Sequence, residues 1–506
     1  MLVAGACWCS YAPANELGIL VPIVVNGQAL QKPDPRGRSV PVVTQLRSGA
    51  LYDQLRKEAG RGATALVLVL DDLAQRKAGA AVSSPTWLLL SDRDGGFARK
   101  GFWLRDTPDD RERRDGRDRR ERDQAATPNA ERYVAEPFVD LQVDANFVAN
   151  GGFEEIFAHE MGHVFLRRLL PRLPDGYSRT PHMSLAITDN PTAFDEGFAT
   201  HMQGLARRFT ENESLRNQDL GLENKPFLSY WLSNLDRASR IDGVRRNWFV
   251  QAQITAPGNG DAVMRRDHST LFDTTRLKNG NQMMASEGVI ATLFYRWLVP
   301  GSVERSAVLQ RYSMLFDALV ALNHRPPVNQ KLDSDAPLFL DMIEAYRAVN
   351  PKESARLLAL TIETTYGATA DATLATRFES LAAEGRAGDI EKFSTELKTA
   401  RSALEHLQQT VAQSPSAARA ALGPSIWLFK DRPTAMAIDL NTAEREALLT
   451  LPGVDAATAD RALESRRSKG PFKDLADFAK RSNLPAPAQL QGMLDAMTKA
   501  GTYSRE

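Results

Sequence analysis

Short apolar runs alternate with clusters of Gly, Pro and Asp over the first 143 residues. Runs of about 4–8 apolar and β-branched residues between turn residues are typical of β-strands. We therefore expect a mixed α/β sheet region over residues 1–150. The pattern predicts strands at 18–25, 63–70, 86–90 and 138–143.

The segment 105–132 interrupts this pattern with Arg, Asp and Glu in alternation and almost no apolar residues. Such a segment cannot bury enough apolar surface to fold, so it is predicted to be a disordered, solvated loop. A nucleic-acid-binding tail is the alternative, but the interleaved acidic residues cancel the charge of the arginines.

The pattern changes to helical periodicity from residue 151 to about residue 430, which predicts a helical body. Amphipathic stretches occur at 153–169, 286–298 and 387–411. A polar break follows, and residues 435–500 predict short helices joined by hairpin-like turns. The expected fold class is α+β, with an N-terminal sheet region, a mostly α-helical body and a small all-α C-terminal domain.

Composition agrees with a multidomain soluble protein. At about 150 residues per domain, 506 residues suggest about three domains. No run of about 18 apolar residues is present, so no transmembrane segment is expected. Lys plus Arg and Asp plus Glu number 63 each, so net charge does not steer the chain to nucleic acid and any such binding must be local.

The N-terminus leaves the compartment open. Cys7 and Cys9 lie too close together for an ordinary disulfide, which argues against a disulfide-stabilised fold. The apolar stretch 1–14 is similar to the second half of a secretory signal peptide, but no basic residues precede it. A truncated signal would indicate a periplasmic or secreted protein. A weakly packed N-terminus of a cytoplasmic protein is the alternative.

The strongest candidate for chemistry is the sequence His159-Glu160-Met161-Gly162-His163. The helical repeat places His159 and His163 one turn apart on one face, where two imidazoles can bind the same ion. Zn²⁺ binds His nitrogen, and a catalytic site keeps one position open for water. Glu160 can reach that water as a general base. The motif predicts a zinc-dependent hydrolase.

A chance match, with histidines that only make surface hydrogen bonds, is the alternative. The flanking residues argue against it, because Ile156, Phe157, Val164 and Phe165 make the helix strongly apolar. Polar groups on such a helix need partners, and a metal ion would supply them. The apolar run 138–143 lies just upstream and is expected to form the edge strand to which an extended substrate adds.

Two histidines do not complete a zinc site, so a third ligand must come from elsewhere. Glu196 lies on a predicted helix beside Gly197 and Ala199, which are small enough to let the motif helix approach. Glu287, in the similar sequence Glu287-Gly288-Val289-Ile290-Ala291, is the rival ligand. Glu196 is preferred because its distance from His163 along the chain fits one return helix.

The His-Glu-x-x-His motif with a downstream Glu-Gly-x-Ala helix resembles the gluzincin metallopeptidases, the group that includes thermolysin. The resemblance implies His159, His163 and Glu196 as zinc ligands, Glu160 as general base, and a peptide or protein substrate. In thermolysin-like enzymes an aspartate follows the ligand glutamate by four residues, and here that position is Thr200.

Two further residues are candidates for hydrogen-bonding the oxyanion, each with a structural alternative. His201 follows the Glu196 helix sequence, and its alternative is a surface histidine. Tyr295 lies in the Glu287 sequence, and its alternative is an aromatic packed within a helix.

The C-terminal residues contain Leu440-Asn441-Thr442-Ala443, then Leu451-Pro452-Gly453-Val454 and Gly470-Pro471-Phe472-Lys473. This series resembles the helix-hairpin-helix domain of bacterial competence DNA receptors. The resemblance implies contact with double-stranded DNA without sequence specificity, through backbone N–H groups that hold a phosphate. The DNA-contacting candidates are Leu451, Gly453, Val454, Arg466 and Lys473.

The C-terminal domain departs from that pattern at one position. Asp455 stands where a second glycine is expected, and its carboxylate would face the phosphate. A structural or protein-binding role for this domain is the alternative.

The leading functional hypothesis is a zinc metallopeptidase with an appended helix-hairpin-helix domain. The second is a DNA-associated binding protein in which the zinc site is structural or inactive. The third is a metal-dependent hydrolase of a non-peptide amide, which the motif alone does not separate from a peptidase.

Overall fold

The fold is taken from a computed structural model. It describes residues 16–93, 95–105, 131–174, 190–217, 250–252, 272–277, 283–299, 304–333, 337–367, 369, 374, 377–378, 380–381, 389–413, 438–441, 445–448, 454–484 and 498–499. The predicted loop 105–132 therefore lies outside the described residues, except at its ends.

The chain forms two compact units. The first comprises residues 1–171, 202–220 and 303–316, and the second comprises 172–201, 221–302 and 317–506. The sheet and the helix that carries the His-Glu-x-x-His motif both belong to the first unit.

A six-stranded mixed sheet forms the centre of the first unit. The strands of this unit are β1 (Leu17–Pro22), β2 (Val24–Val25), β3 (Gln28–Ala29), β4 (Gln31–Pro33), β5 (Ser39–Gln45), β6 (Thr86–Leu90), β7 (Gly96–Arg105) and β8 (Glu131–Leu141). The order in the sheet is β1-β6-β8-β7-β5-β4, and β1 also pairs with β5, so five of the strands form a closed ring. Strands β2 and β3 pair with each other in a separate antiparallel ladder.

Aromatic rings and branched aliphatic side chains fill the ring of strands. Phe102 contacts Trp87 and Phe138 edge to face, with ring centroids 5.5 and 5.3 Å away. The other members of this buried cluster are Leu20, Val43, Leu89, Leu104 and Val134. Three of the four predicted strands, at 18–25, 86–90 and 138–143, are confirmed as parts of β1, β2, β6 and β8.

The prediction of a strand at 63–70 was wrong. These residues belong to a buried helix, Gly62–Lys77, in which Ala63, Leu66, Val67 and Leu70 are fully buried. A short apolar run is compatible with a buried strand and with a buried helix, so periodicity alone does not separate them.

The prediction of an edge strand at 138–143 was also wrong. Strand β8 pairs with β6 on one side, through Val139 and Leu88, and with β7 on the other, through Val139 and Ala98. Both sides of its backbone are hydrogen-bonded over these residues, so β8 does not accept a further strand there.

Helices of the first unit pack on the sheet and on one another. The motif helix contacts β7, β8, the Gly62–Lys77 helix and the short helix before it. The helices up to residue 217 are α1 (Ala50–Ala59), α2 (Gly62–Lys77), α3 (Ala145–Ala149), α4 (Gly152–Leu169), α5 (Asn190–Phe209) and α6 (Glu213–Asn217). Helix α5 is continuous, and its residues are shared between the two units.

The second unit is largely helical where it is described. Its elements are β9 (Val250–Ala252), β10 (Phe272–Leu277), α7 (Glu287–Leu298), α8 (Arg305–Asn323, shared with the first unit), α9 (Leu338–Val349), α10 (Pro351–Thr364) and α11 (Ile390–Gln413). Helix α10 packs against α7, α9 and α11, and Trp297 contacts Tyr346 edge to face at 4.9 Å. The predicted helix at 286–298 is confirmed, and the one at 387–411 is confirmed from residue 390 onwards, since 387 and 388 lie outside the described residues.

Short helices and one two-residue strand pair form the C-terminal part. They are β11 (Ile438–Asp439), α12 (Arg445–Leu448), α13 (Ala456–Lys469), α14 (Leu475–Ser482) and β12 (Thr498–Lys499). The α+β fold class is confirmed. Among the described residues, no helix combines the length and apolar character needed to cross a membrane.

Candidate functional site

Helix α4 begins at a glycine and is held firmly at its first turn. Gly151 precedes it in the left-handed region, with φ of 85°. Glu154 is buried, and its carboxylate accepts hydrogen bonds from the backbone N–H of Ala63, at 2.7 Å, and from the hydroxyl of Thr210. Burial raises the pKa of Glu154 above its ordinary value, although both hydrogen bonds oppose this shift.

The first turn of α4 is also tied to the last turn of α5. Arg207 donates two hydrogen bonds to the carboxylate of Glu155, at 2.9 and 3.1 Å. A bidentate arginine pair fixes orientation as well as distance. The start of α4 therefore meets the end of α5, as expected for two antiparallel helices.

His159 and His163 lie one turn apart on α4, with ring centroids 5.1 Å apart and planes at 80°. Glu196 lies on α5, eleven residues before Arg207, which is about 16 Å along a helix. Each of the three residues offers one ligand atom, and these atoms all lie within 4.8 Å of one another. The structure thus brings together the three residues that the sequence analysis proposed as ligands.

The chemical types of the three candidate ligand atoms fit zinc. Two imidazole nitrogens and one carboxylate oxygen are the ligands of one common type of catalytic zinc site, in which the fourth position is kept for water. His163 is buried, and His159 and Glu196 are half-buried. The group is thus shielded but still partly accessible.

Glu160 is buried on α4, between the two histidines in the sequence, and its carboxylate lies against strand β7. A Cβ atom placed on Gly96 would come within 2.8 Å of Oε1 of Glu160 and 3.1 Å of Cγ2 of Ile156. Gly96 therefore permits the close approach of β7 to the candidate base. The sequence pattern does not single out Gly96, because an isolated glycine at a strand end gives little signal by itself.

The rival ligand, Glu287, lies at the start of α7 and is buried. Its Oε1 accepts a hydrogen bond from the hydroxyl of Thr200 at 2.9 Å. Thr200 lies four residues after Glu196 on the same helix. Glu287 is not part of the group of ligand atoms formed by His159, His163 and Glu196.

Gly197 has a different neighbour from the one predicted. A Cβ atom at this position would lie 2.7 Å from Cβ of Ile290 and 2.8 Å from the carbonyl oxygen of Glu287. The small residue beside Glu196 therefore permits close packing of α5 on α7. The expectation that it makes room for the motif helix was wrong.

His201 is completely buried, and is not at the surface. Its ring lies 4.7 Å from that of Phe198 and 5.2 Å from that of Phe294, between centroids. Burial lowers the pKa of His201 to about 3, so its imidazole is neutral near pH 7. Tyr295 is half-buried on α7. The oxyanion roles of both residues stay predictions.

In the C-terminal part, the first turn of α13 is occupied by a carboxylate of the chain. Asp455 caps this helix, and its side chain accepts a hydrogen bond from the backbone N–H of Thr458 at 2.7 Å. Hydrogen bonds from the hydroxyl and the backbone N–H of Thr458 lower the pKa of Asp455. A phosphate at this helix start would meet a negative charge already in place.

Several basic groups of this part serve its own fold. Arg466 donates to the carbonyl oxygen of Leu440 at 2.9 Å. Arg481 donates to the carbonyl oxygens of Ser465 and Gly470, both at 2.7 Å, and stacks on Phe472.

The five DNA-contacting candidates are only partly described. Val454 is buried, whereas Leu451 and Gly453 lie outside the described residues. The backbone N–H of Lys473 donates to Asp477 at 3.1 Å. The role of these residues in DNA binding stays a prediction.

Comparison with known proteins finds similarity in one part of the chain. Residues 434–491 match the helix-hairpin-helix motif family. No curated protein and no solved structure shows significant similarity to the chain. The matched residues do not include the group formed by His159, His163 and Glu196.

Proposed function

We propose that the chain is a zinc-dependent hydrolase that cleaves peptide bonds. The observation that carries the proposal is the grouping of ligand atoms from His159, His163 and Glu196, contributed by two antiparallel helices. Glu160 adds a carboxylate on the same helix as both histidines. A merely structural zinc site would use four protein ligands and would not need this carboxylate.

Each residue of the proposed centre has a distinct task. A bound Zn²⁺ would act as a Lewis acid on the scissile carbonyl and make water more acidic. Glu160 accepts the proton of the attacking water and then donates it to the leaving nitrogen. Its buried position against Gly96 limits the positions that its carboxylate can adopt.

Strand β7, and not β8, offers an open backbone edge next to Glu160. The pairing of β7 with β5 is limited to Trp103 with Val42 and Leu104 with Val43. Among the strands that the structure describes, the first residues of β7 pair with β8 alone. An extended peptide added along this edge would pass Gly96 and the carboxylate of Glu160.

Hydrolysis of a quenched fluorescent peptide library by the zinc-loaded full chain tests the proposal. We expect Glu160→Gln to lower turnover by about 10²–10⁴-fold while zinc content stays the same, because only the general base is lost. Glu405→Gln makes the same chemical change at an exposed position of α11 and should leave turnover unchanged. Equal turnover by Glu160→Gln and the wild type, or no hydrolysis by the zinc-loaded wild type, would refute the proposal.

A second candidate function is binding of double-stranded DNA without sequence specificity. The match of residues 434–491 to the helix-hairpin-helix motif favours it. Such binding depends on phosphate contacts and should weaken steeply with salt. The absence of measurable duplex binding by the full chain at about 50 mM salt would remove this candidate.

A further inference from the structure

A cavity of ≈ 580 Å³ lies in the first unit, where strands β5 and β7 separate. Ser39, Val40 and Pro41 line it from β5, and Ala98 and Lys100 line it from β7. The separation has a local cause. Strand β7 changes register between Lys100 and Phe102, and Gly101 between them has φ of 85°. The β5–β7 ladder begins only after this bulge.

Positive charge dominates the cavity wall. Among the lining residues that the structure describes, five are cationic and two, Asp92 and Asp140, are acidic. Two of the cations are neutralised by nearby carboxylates, since Arg38 pairs with Asp34 and Arg99 pairs with Asp140. The cationic residues are Arg38, Arg93, Arg99, Lys100 and Arg167.

Arg167 connects the cavity to the proposed catalytic centre. It lies on α4, four residues after His163 and seven after Glu160, so the three side chains share one face of the helix. Seven residues correspond to about 10 Å along the helix. The neighbouring Arg168 is ion-paired with Glu136, whereas Nη1 of Arg167 is buried with no hydrogen-bond partner among the described residues.

The surroundings of Lys100 also favour an anion. Burial lowers the pKa of Lys100, and the nearby positive charges of Arg36, Arg38 and Arg168 lower it further. Glu136 is the acidic neighbour that opposes this effect. An anion in the cavity would stabilise the charged form of Lys100 and could accept a hydrogen bond from Arg167.

We propose that this cavity binds a carboxylate group of the peptide substrate, with Arg167 and Lys100 as the residues that determine this specificity. The inference rests on the proposed peptidase function, because the substrate would follow the open edge of β7 from Glu160 to the cavity. The carboxylate can belong to an Asp or Glu side chain or to the substrate C-terminus. A volume of ≈ 580 Å³ is ample for either group.

Binding can be measured apart from catalysis in the zinc-loaded Glu160→Gln full chain, by fluorescence anisotropy. Three labelled peptide libraries without other acidic residues serve as probes. The first fixes a central Glu between blocked termini, the second replaces this Glu by Gln, and the third has the same Gln with a free C-terminus. We expect the first or the third to bind at least about tenfold more tightly than the second, since hydrogen bonds to charged groups are strong.

Variants then assign the preference to the cavity. Arg167→Gln in the same background should remove the difference between acidic and neutral libraries, and Lys100→Met should reduce it. Arg76→Gln makes the same change of charge as Arg167→Gln on the exposed side of α2 and should leave the difference intact. Lys100→Met gives an independent result if thermal unfolding shows that Arg167→Gln is misfolded.

The outcomes separate this inference from the proposed function. Equal binding of all three libraries, no binding of any of them, or a preference that survives both cavity variants would overturn the inference. Charge-dependent binding without hydrolysis by the zinc-loaded wild type would overturn the proposed function and leave the cavity as a carboxylate-binding site without a peptidase substrate. If the wild type hydrolyses the acidic and the neutral libraries at the same rate, and Glu160→Gln hydrolyses neither, the inference alone is overturned.

Discussion

The proposed metal centre is supported by the positions of its side chains, whereas the helix-hairpin-helix part is supported by a family match. At the proposed metal centre, three candidate ligand atoms from α4 and α5 lie within 4.8 Å of one another, although no curated protein and no solved structure matches that region. Residues 434–491 match a known motif family. Yet Asp455 caps the helix start at which a phosphate would bind, and Arg466 bonds to a backbone carbonyl.

The difference shows that a motif match and a chemical site are separate observations. A family motif preserves the turns and caps that build a fold, and these can persist after a ligand site has changed. A group of ligand atoms depends on two helices that are distant in sequence. The proposed metal centre therefore gives the stronger functional argument, and four predictions test this difference between the two regions.

The largest expected effect is the loss of zinc from Glu196→Ala. Removal of one of three protein ligands should lower the zinc content of the purified chain to near background, with loss of hydrolysis. Glu287→Ala is the matched control, because this glutamate bonds to Thr200. Mass spectrometry of bound metal should find zinc in Glu287→Ala close to wild type. Zinc loss in Glu287→Ala alone would make Glu287 the ligand.

The second prediction concerns acid stability. The pKa of His201 is lowered to about 3 in the folded chain, against 6.5 as its ordinary value. As pH falls, His201 therefore binds a proton in the unfolded chain before it does so in the folded chain. The free energy of unfolding should decrease from about pH 6.5 towards pH 3. The loss should amount to a few kcal/mol, since one pKa unit corresponds to about 1.4 kcal/mol.

Chemical denaturation across this pH range tests the effect of His201. The variant His201→Gln has no titrating group at this position, and its stability should change less between pH 6.5 and pH 4 than that of the wild type. Parallel pH profiles for the two proteins would show that His201 does not titrate as its burial implies.

The third prediction concerns the contact between β7 and the proposed base. Gly96→Ala places a Cβ atom 2.8 Å from Oε1 of Glu160 unless one of them moves. Displacement of a catalytic group by about 1 Å can cost about 10²-fold in rate, so we expect turnover to fall by about 10–100-fold with zinc retained. Gly60→Ala is the control, because Gly60 is exposed, has φ of −89° and would hold its Cβ atom 3.6 Å from the nearest atom beyond its chain neighbours, the carbonyl oxygen of Lys57. Unchanged turnover in Gly96→Ala would show that the close approach of Gly96 to Glu160 does not matter for catalysis.

Sequence periodicity predicted the two helices of the proposed metal centre, because each helix has its own local pattern. The spacing of His159 and His163 follows from one helical turn, and the helix that carries Glu196 has its own pattern. The partners of paired strands and packed helices are not encoded in the local sequence. Gly96 and Glu160 are distant in sequence, and the packing of Gly197 on Ile290 joins helices that the pattern treats separately. The interior position of β8 depends on strands that pair from both sides.

The smallest effect is expected in the helix-hairpin-helix part. Asp455→Gly removes a negative charge from the start of α13 and restores the glycine expected in this motif, at a small cost in helix capping. If the domain binds duplex DNA, the affinity of the full chain at about 50 mM salt should rise by about 3–10-fold, because backbone N–H groups become available to a phosphate.

The matched control is Asp474→Gly, which removes the capping carboxylate of α14, bonded to the backbone N–H of Asp477 at 2.7 Å. This helix follows a different turn, so the change should affect DNA binding less than Asp455→Gly does. Equal gains in both variants would indicate only a general reduction of negative charge. If neither the wild type nor Asp455→Gly binds DNA, the glycine does not create a phosphate site. The domain would then have a structural or protein-binding role.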